Sequence, residues 1–187
     1  MRVFNIDEIE AAAALLHAGG VLAYPTEGVY GLGCDPDNHA AFEKIFAMKR
    51  RPPGQGVLSI AADMQQIEPW IGDAPAAARE RARAVWPGPH TFIFPRSARV
   101  PEWVAGGHPG IALRVTAHPP AAALCRAFGG PIVSTSANRH GESPARSAVD
   151  IQAIFGDQPD GVLDAPLGGL CRPTPITDAV SGAIIRA

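Results

Sequence analysis

Apolar positions along the chain recur with two different periods. Over residues 7–18, Ile9, Ala12, Ala13 and Leu16 fall three and four apart, and Gly19-Gly20 follows. That spacing predicts a helix ended by glycine. "VLAY" (Val21 to Tyr24) is an unbroken apolar run closed by Pro25, which predicts a short buried strand. The next stretch, "TEGVYGLGCDPDN", is punctuated by glycine and predicts a loop. Phe42, Ile45 and Phe46 mark a second helix from His39 to Lys49. "VLSIA" predicts a strand, and helical segments come next near Met64 to Ile71 and Pro75 to Val85. "HTFIFP" (His90 to Pro95) and "IALRV" (Ile111 to Val115) are strand-like. A helix over Pro119 to Phe128 opens on prolines, where a missing N–H costs nothing. "PIVST" predicts another strand, Ser147 to Phe155 a helix, and "ITDAV" with "AIIRA" a hairpin turning at Ser181-Gly182. Strands and helices alternate with no linker and no internal repeat. The expected fold class is therefore α/β, a single domain over 1–187 with a mixed sheet and flanking helices.

Composition adds little to this picture. The chain is 47% hydrophobic and 18% charged, enough to bury a core and unlike a disordered segment. Its 20 glycines and 19 prolines follow no period, which predicts many sharp turns. Cys34, Cys125 and Cys171 stand far apart and are odd in number, pointing to reduced thiols rather than a disulfide framework. "MRVFNIDEIE" turns acidic by Asp7, unlike a signal or transit peptide, and no apolar run reaches the length of a membrane span. A cytoplasmic protein with no membrane partner is expected. The formal net charge is -2, so any surface for nucleic acid or phosphate has to be local.

Several catalytic signatures are missing: no P-loop, no G-x-S-x-G and no H-E-x-x-H. The six histidines lack metal-ligand spacing, and His90 and His118, beside prolines at strand ends, read as structural. No protein metal site is expected. Four polar clusters remain next to predicted strands, where open α/β sheets bind ligands. "YPTEGVYGLG" sets Thr26 and Glu27 directly after a strand, although a plain turn explains it equally well. "MKRRPPGQG" gathers Lys49, Arg50 and Arg51 at a helix end. The helix dipole accounts for one of these cations. Pro52-Pro53 stiffens the chain directly after Arg51 and suits a planar, bidentate phosphate contact from its guanidinium. A nucleic-acid patch and a solvated loop are the competing explanations. "WPGPHTF" aims His90 and Thr91 at a strand start, or is a structural corner. "PIVSTSANRHGESPARS" crowds Ser134, Thr135, Ser136 and Asn138 together, with Arg139 and Arg146 in the same loop. Such groups bind phosphate, carboxylate or Mg2+, or cap a helix.

In series, "YPTEGVYGLGCDP", "KRRP", "WPGPHTF", "ALRVTAHP" and "VSTSAN" resemble, in order and spacing, the YrdC-type family of threonylcarbamoyl-AMP synthases in its short bacterial form. The resemblance runs from the first helix to "ITDAVSG". It implies a YrdC-like twisted mixed sheet with a concave, locally basic cavity. It also implies that L-threonine, bicarbonate or CO2, and ATP condense to threonylcarbamoyl-AMP and pyrophosphate. Downstream transfer proteins then modify N6 of adenosine 37 in tRNA. ATP is a substrate in this scheme, and Mg2+ arrives bound to it. By position, the K-x-R pair Lys49 and Arg51, with Ser136 and Asn138, falls at the catalytic places. Thr26, Thr91, Arg114, Ser134 and Arg146 fall at substrate-binding places. The attacking carboxylate is already ionised, so catalysis needs positioning and charge rather than a general base. Family members are also described as binding double-stranded RNA, so an RNA-binding module in ribosome or rRNA maturation is the alternative. The scarcity of exposed aromatic residues near the basic loop argues against single-strand reading. Three departures stand out. Gly28 replaces a Thr or Ala and is expected to loosen its loop. Gln55 is the one side-chain donor in "PPGQG". Arg172 and Thr174 are further candidates, in a segment that relatives write as Pro-Ser-x-Ile-x-Asp.

Overall fold

The computed structural model describes residues 1–52, 54–171 and 173–187; Pro53 and Arg172, both named among the sequence candidates, lie outside the described residues. Its central strands are apolar in both directions, so the sheet is buried on two sides. Ile60 and Ile132 enter one core, while their neighbours Ala61 and Val133 enter the other. The strands are β1 (Arg2–Phe4), β2 (Leu22–Pro25), β3 (Tyr30–Gly33), β4 (Leu58–Ala61), β5 (Thr91–Pro95), β6 (Gly110–Val115), β7 (Ile132–Ser136), β8 (Gly161–Leu163), β9 (Ile176–Asp178) and β10 (Ile184–Arg186). They join one sheet in the order β1-β8-β2-β3-β7-β4-β6-β5-β9-β10. The pairs β1/β8, β2/β8, β4/β6 and β5/β9 are parallel and the others antiparallel, so the sheet is mixed as expected.

Helices α1 (Ile9–His17) and α6 (Pro119–Phe128) pack on each other and cover Phe4, Tyr24, Ile60 and Ile132 on one face. The larger core, on the other face, takes side chains from α2 (His39–Lys49), α3 (Met64–Ile67), α4 (Ala76–Arg83), α5 (Glu102–Ala105) and α7 (Ala148–Phe155). α2 starts where the Asn38 side chain accepts a hydrogen bond from the Ala41 N–H. It stops at Arg50, which sits in the left-handed region at φ 50. That turn leaves Lys49 buried and Arg50 exposed.

The glycine-rich stretch after β2 corrects the sequence expectation. Its middle, Tyr30–Gly33, is a strand and not a loop, since β3 pairs with both β2 and β7, while the residues on either side of it are irregular as expected. A Cβ on Gly33 would lie 2.6 Å from the Val133 carbonyl and 2.8 Å from the Tyr24 ring. Glycine there permits close packing inside the sheet rather than a turn. The first helix is also shorter than expected, because Ile6–Glu8 form a 3-10 turn capped by Asn5. β1, β8 and α5 span only three or four residues each, too few for a period to show.

Candidate active site

Strand register brings several candidates onto one face. Gly31 pairs with Tyr24 and Ser136, Leu58 with Ser134, and Ile60 with Arg114. Paired residues share a face, as do residues two apart on a strand. Ser134, Ser136 and Arg114 thus lie on the face that α1 and α6 cover at Ile60 and Ile132. Beyond the helices the apolar lining gives way to polar side chains. Phe92 pairs with Leu113, so buried Thr91 stands one register step on, beside Arg114.

The floor is a buried polar network. Arg114 and Glu27 are both buried, with Nη2 of Arg114 3.2 Å from Oε2 of Glu27. Thr116 Oγ1 donates to Oε1 of Glu27 at 2.6 Å. Nη1 of Arg114 donates at 3.3 Å to Oγ1 of Thr174. Among the described residues, Nε of Arg114 has no acceptor and Nδ1 of His118 no partner. Nε2 of His118 lies 3.0 Å from the Pro166 carbonyl, and burial holds this imidazole below its ordinary pKa. Thr26 donates both its N–H and its hydroxyl to the Val29 carbonyl, at 3.0 and 2.7 Å. The Tyr24 hydroxyl donates to Ser134 Oγ at 2.8 Å, and burial pushes that phenol's pKa up, so it stays protonated. Thr26 Cγ2 and Ser134 Oγ each stand 3.5 Å from where a Gly31 Cβ would be, which brings the two candidates together.

Lys49 and Arg51 follow from the end of α2 on the opposite face, and Lys49 reaches the end of β7. The Lys49 ammonium donates to the Ser136 carbonyl, to the Asn138 carbonyl at 2.9 Å and to Asn138 Oδ1 at 3.2 Å. The hydroxyl of Ser136, an exposed residue, donates to the same Oδ1 at 2.6 Å. Burial, helped by the nearby Arg51 charge, pulls the Lys49 pKa down to about 8. Arg51 closes its own loop: Nε donates to Oε1 of Gln55 and Nη2 to the Gly56 carbonyl, each at 3.0 Å. Gln55 therefore serves Arg51 as an acceptor. Lys49, Ser136 and Asn138 form one hydrogen-bonded cluster within reach of the Arg51 charge, and Thr26, Thr91 and Ser134 lie with Arg114 on the other face.

Two other residues fall elsewhere. Arg146 is exposed and lines a recess of about 410 Å³ with Tyr30, Ser147 and Asp164. Arg139 turns away to donate to the Ile154 carbonyl at 2.9 Å. A larger, mostly apolar recess of about 750 Å³ lies between α2 and α5, lined by Phe42, Phe46 and Trp103, and includes Arg51 but no other site candidate. Aromatic side chains thus do border the basic loop, because Trp103 arrives from a distant segment.

Gly28 does not loosen its loop. The Gly168 N–H donates to the Thr26 carbonyl at 3.1 Å, and the Leu170 N–H to the Glu27 carbonyl at 2.8 Å. A Cβ on Gly28 would lie 2.9 Å from the Leu170 carbonyl, so the missing side chain lets this late segment strap down. Sequence reasoning placed Glu27 at a strand end but missed its partners, which lie on β6 and just beyond it. An acid directly after a buried strand was the available signal.

Known proteins share this fold and much of this sequence. Residues 14–187 match the family model of Sua5, YciO and YrdC proteins, described as "Telomere recombination". The threonylcarbamoyl-AMP synthase of Alkalilimnicola ehrlichii is 52% identical over 182 residues, covering 96% of this chain and 95% of that relative. The structure of P. abyssi Sua5 complexed with L-threonine superposes with a TM-score of 0.89 at 29% identity, over 95% of this chain. This chain spans 54% of that longer Sua5. E. coli YciO superposes with a TM-score of 0.86 at 25% identity, over 99% of this chain and 93% of its own. With the family model covering most of its length and a relative half identical to it end to end, the chain belongs to the Sua5/YciO/YrdC family.

Proposed function

We propose that the protein is an L-threonylcarbamoyladenylate synthase. It joins L-threonine, bicarbonate or CO2, and ATP into threonylcarbamoyl-AMP and pyrophosphate. The observation that carries this reading is that β7 joins two cation-bearing arrangements, Ser134 on the face of Arg114 and Ser136 against Lys49 from the helix on the other face. One is the hydrogen-bonded set of Lys49, Ser136 and Asn138, with the Arg51 charge close by. The other is the buried Arg114 with an unmatched Nε, among Thr26, Thr91 and Ser134. Support comes from the name of the half-identical relative and from the L-threonine in the Sua5 complex.

Arg114 takes the threonine carboxylate, and Thr26 and Ser134 face its hydroxyl. The carbamate formed on the threonine nitrogen attacks the α-phosphorus, a carboxylate oxygen–phosphorus bond forms, and the bond to pyrophosphate breaks. Lys49 and Arg51 oppose the charge that grows on the phosphates. Arg51 can do so by exchanging the Gln55 and Gly56 acceptors for phosphate oxygens. Among the described residues no group of three or more His, Cys, Asp or Glu could hold a metal ion. The lining is cationic and Glu27, the one buried carboxylate among the described residues, faces Arg114, so this donor set does not suit a resident cation. Mg2+ enters as part of the ATP substrate. The product passes to transfer proteins that modify N6 of adenosine 37 in tRNA, in the cytoplasm. Residues 1–187 act as one domain, since all ten strands share one sheet.

The RNA-binding alternative is not favoured, because Lys49 is buried and Arg51 half-buried, leaving Arg50 alone of the three exposed. Mass spectrometry of products from ATP, L-threonine and bicarbonate tests the reading. Threonylcarbamoyl-AMP is expected, with pyrophosphate release requiring both co-substrates. Equal ATP turnover with and without threonine would reject it.

A further inference from the structure

Glu27 and Arg114 do not meet as a structural ion pair usually does. A buried arginine held for stability commonly forms two parallel hydrogen bonds to its carboxylate. Here one Glu27 oxygen is taken by Thr116, and the other lies 3.2 Å from a single arginine nitrogen without an aligned hydrogen bond. Nη1 has only the long contact to Thr174, and Nε has nothing among the described residues. Leaving buried donors unmatched is costly. The guanidinium is thus held from one side, while its Nε is buried without an acceptor among the described residues.

Thr116 is itself fixed. It is buried, its N–H donates to the Ala61 carbonyl at 3.0 Å, and its hydroxyl accepts the His118 N–H at 3.2 Å. The Glu27 main chain is fixed by the Leu170 N–H. The carboxylate is therefore held by the turn after β6, its main chain by the late segment, and it transmits that placement to Arg114.

From this geometry we infer that Glu27, locked by Thr116, is a positioning residue that sets the direction in which the unmatched Nε of Arg114 meets the substrate carboxylate. The inference rests on the synthase reading above, in which Arg114 receives threonine. Charge and orientation make opposite forecasts. Removing the Glu27 charge leaves Arg114 less neutralised, so charge alone would tighten binding of an anion. Loss of orientation weakens it.

The test measures steady-state pyrophosphate release and, separately, threonine binding by calorimetry, for wild type, E27Q, T116V, T116S and E27Q/T116V. The expected result for E27Q is a threonine KM and Kd raised about tenfold, with kcat and the KM for ATP within about threefold, the pattern of a lost binding interaction. T116V should move the same two constants in the same direction by less, T116S should restore them, and the double variant should match E27Q, because both residues act through one contact. A threonine KM for E27Q that is unchanged or lower overturns the inference, as do proportional losses in all constants or additive effects. If E27Q does not fold, the T116V and T116S pair decides by the same criteria. Wild-type protein that neither binds threonine nor needs it for pyrophosphate release defeats the synthase reading itself, and this inference with it.

Discussion

Lys49 shows how one side chain can hold a site and limit it. Its ammonium gathers carbonyls at the end of β7, which orders Ser136 and Asn138. Burial brings its pKa to about 8 from the ordinary 10.5. Above pH 8 the folded protein begins to lose this proton while the unfolded chain keeps it. The unfolded chain then binds more protons, so this group's contribution to stability rises with pH between those values. Activity has the opposite sign, because neutral Lys49 no longer opposes phosphate charge. The kcat/KM for ATP, which reports the free enzyme, is expected to fall as pH passes about 8. K49R should remove that limb, since a guanidinium stays charged, and a limb unmoved in K49R would assign it elsewhere. K49A and R51A should each lose roughly a hundredfold or more in kcat, the scale of a transition-state contact. Q55A should cost less, because Gln55 only holds Arg51 in the free protein.

At the scale of elements, periodic helices were legible and strands hidden by glycine were not. α2 and α6 fall on the expected residues, since their apolar spacing and end signals agree. β3 was illegible because glycine signals turns locally, whereas here a neighbouring carbonyl and a tyrosine ring demand it. The α1/α6 pair anchors the helix-covered face, and Leu16 is fully buried there. L16A is expected to cost about 2–5 kcal/mol, read as a lower urea midpoint with an unchanged slope. The segment from Pro166 to Leu170 behaves differently, being held over Thr26 and Glu27 by backbone hydrogen bonds. G28A puts a methyl against the Leu170 carbonyl. Hydrogen exchange at the Leu170 amide should accelerate by about tenfold or more, as local opening becomes easier. Unchanged protection would show that the segment absorbs the methyl without shifting.

For the whole molecule, the sheet assembles the site from segments far apart in sequence. Thr26 and Glu27 come from the first hairpin, Arg114 from β6, Ser134 and Ser136 from β7, and Thr174 from the approach to β9. Each candidate was visible as a polar residue beside an apolar run. Their grouping was not, because register is a property of pairing and no local pattern encodes which strands meet. Arg146 shows the limit, sharing a loop with Asn138 yet lining another recess. The same long-range pairing has a consequence for synthesis of the chain. β1, at residues 2–4, has its partner β8 at residues 161–163, and Phe4 packs where a Gly161 side chain would stand. At about 5–20 residues per second, roughly 8–30 s separate emergence of the two strands. During that interval Phe4 lacks the strand that pairs beside it, and α1 waits for α6 through most of it, so the N-terminal segment of a nascent chain is open to chaperones and to aggregation.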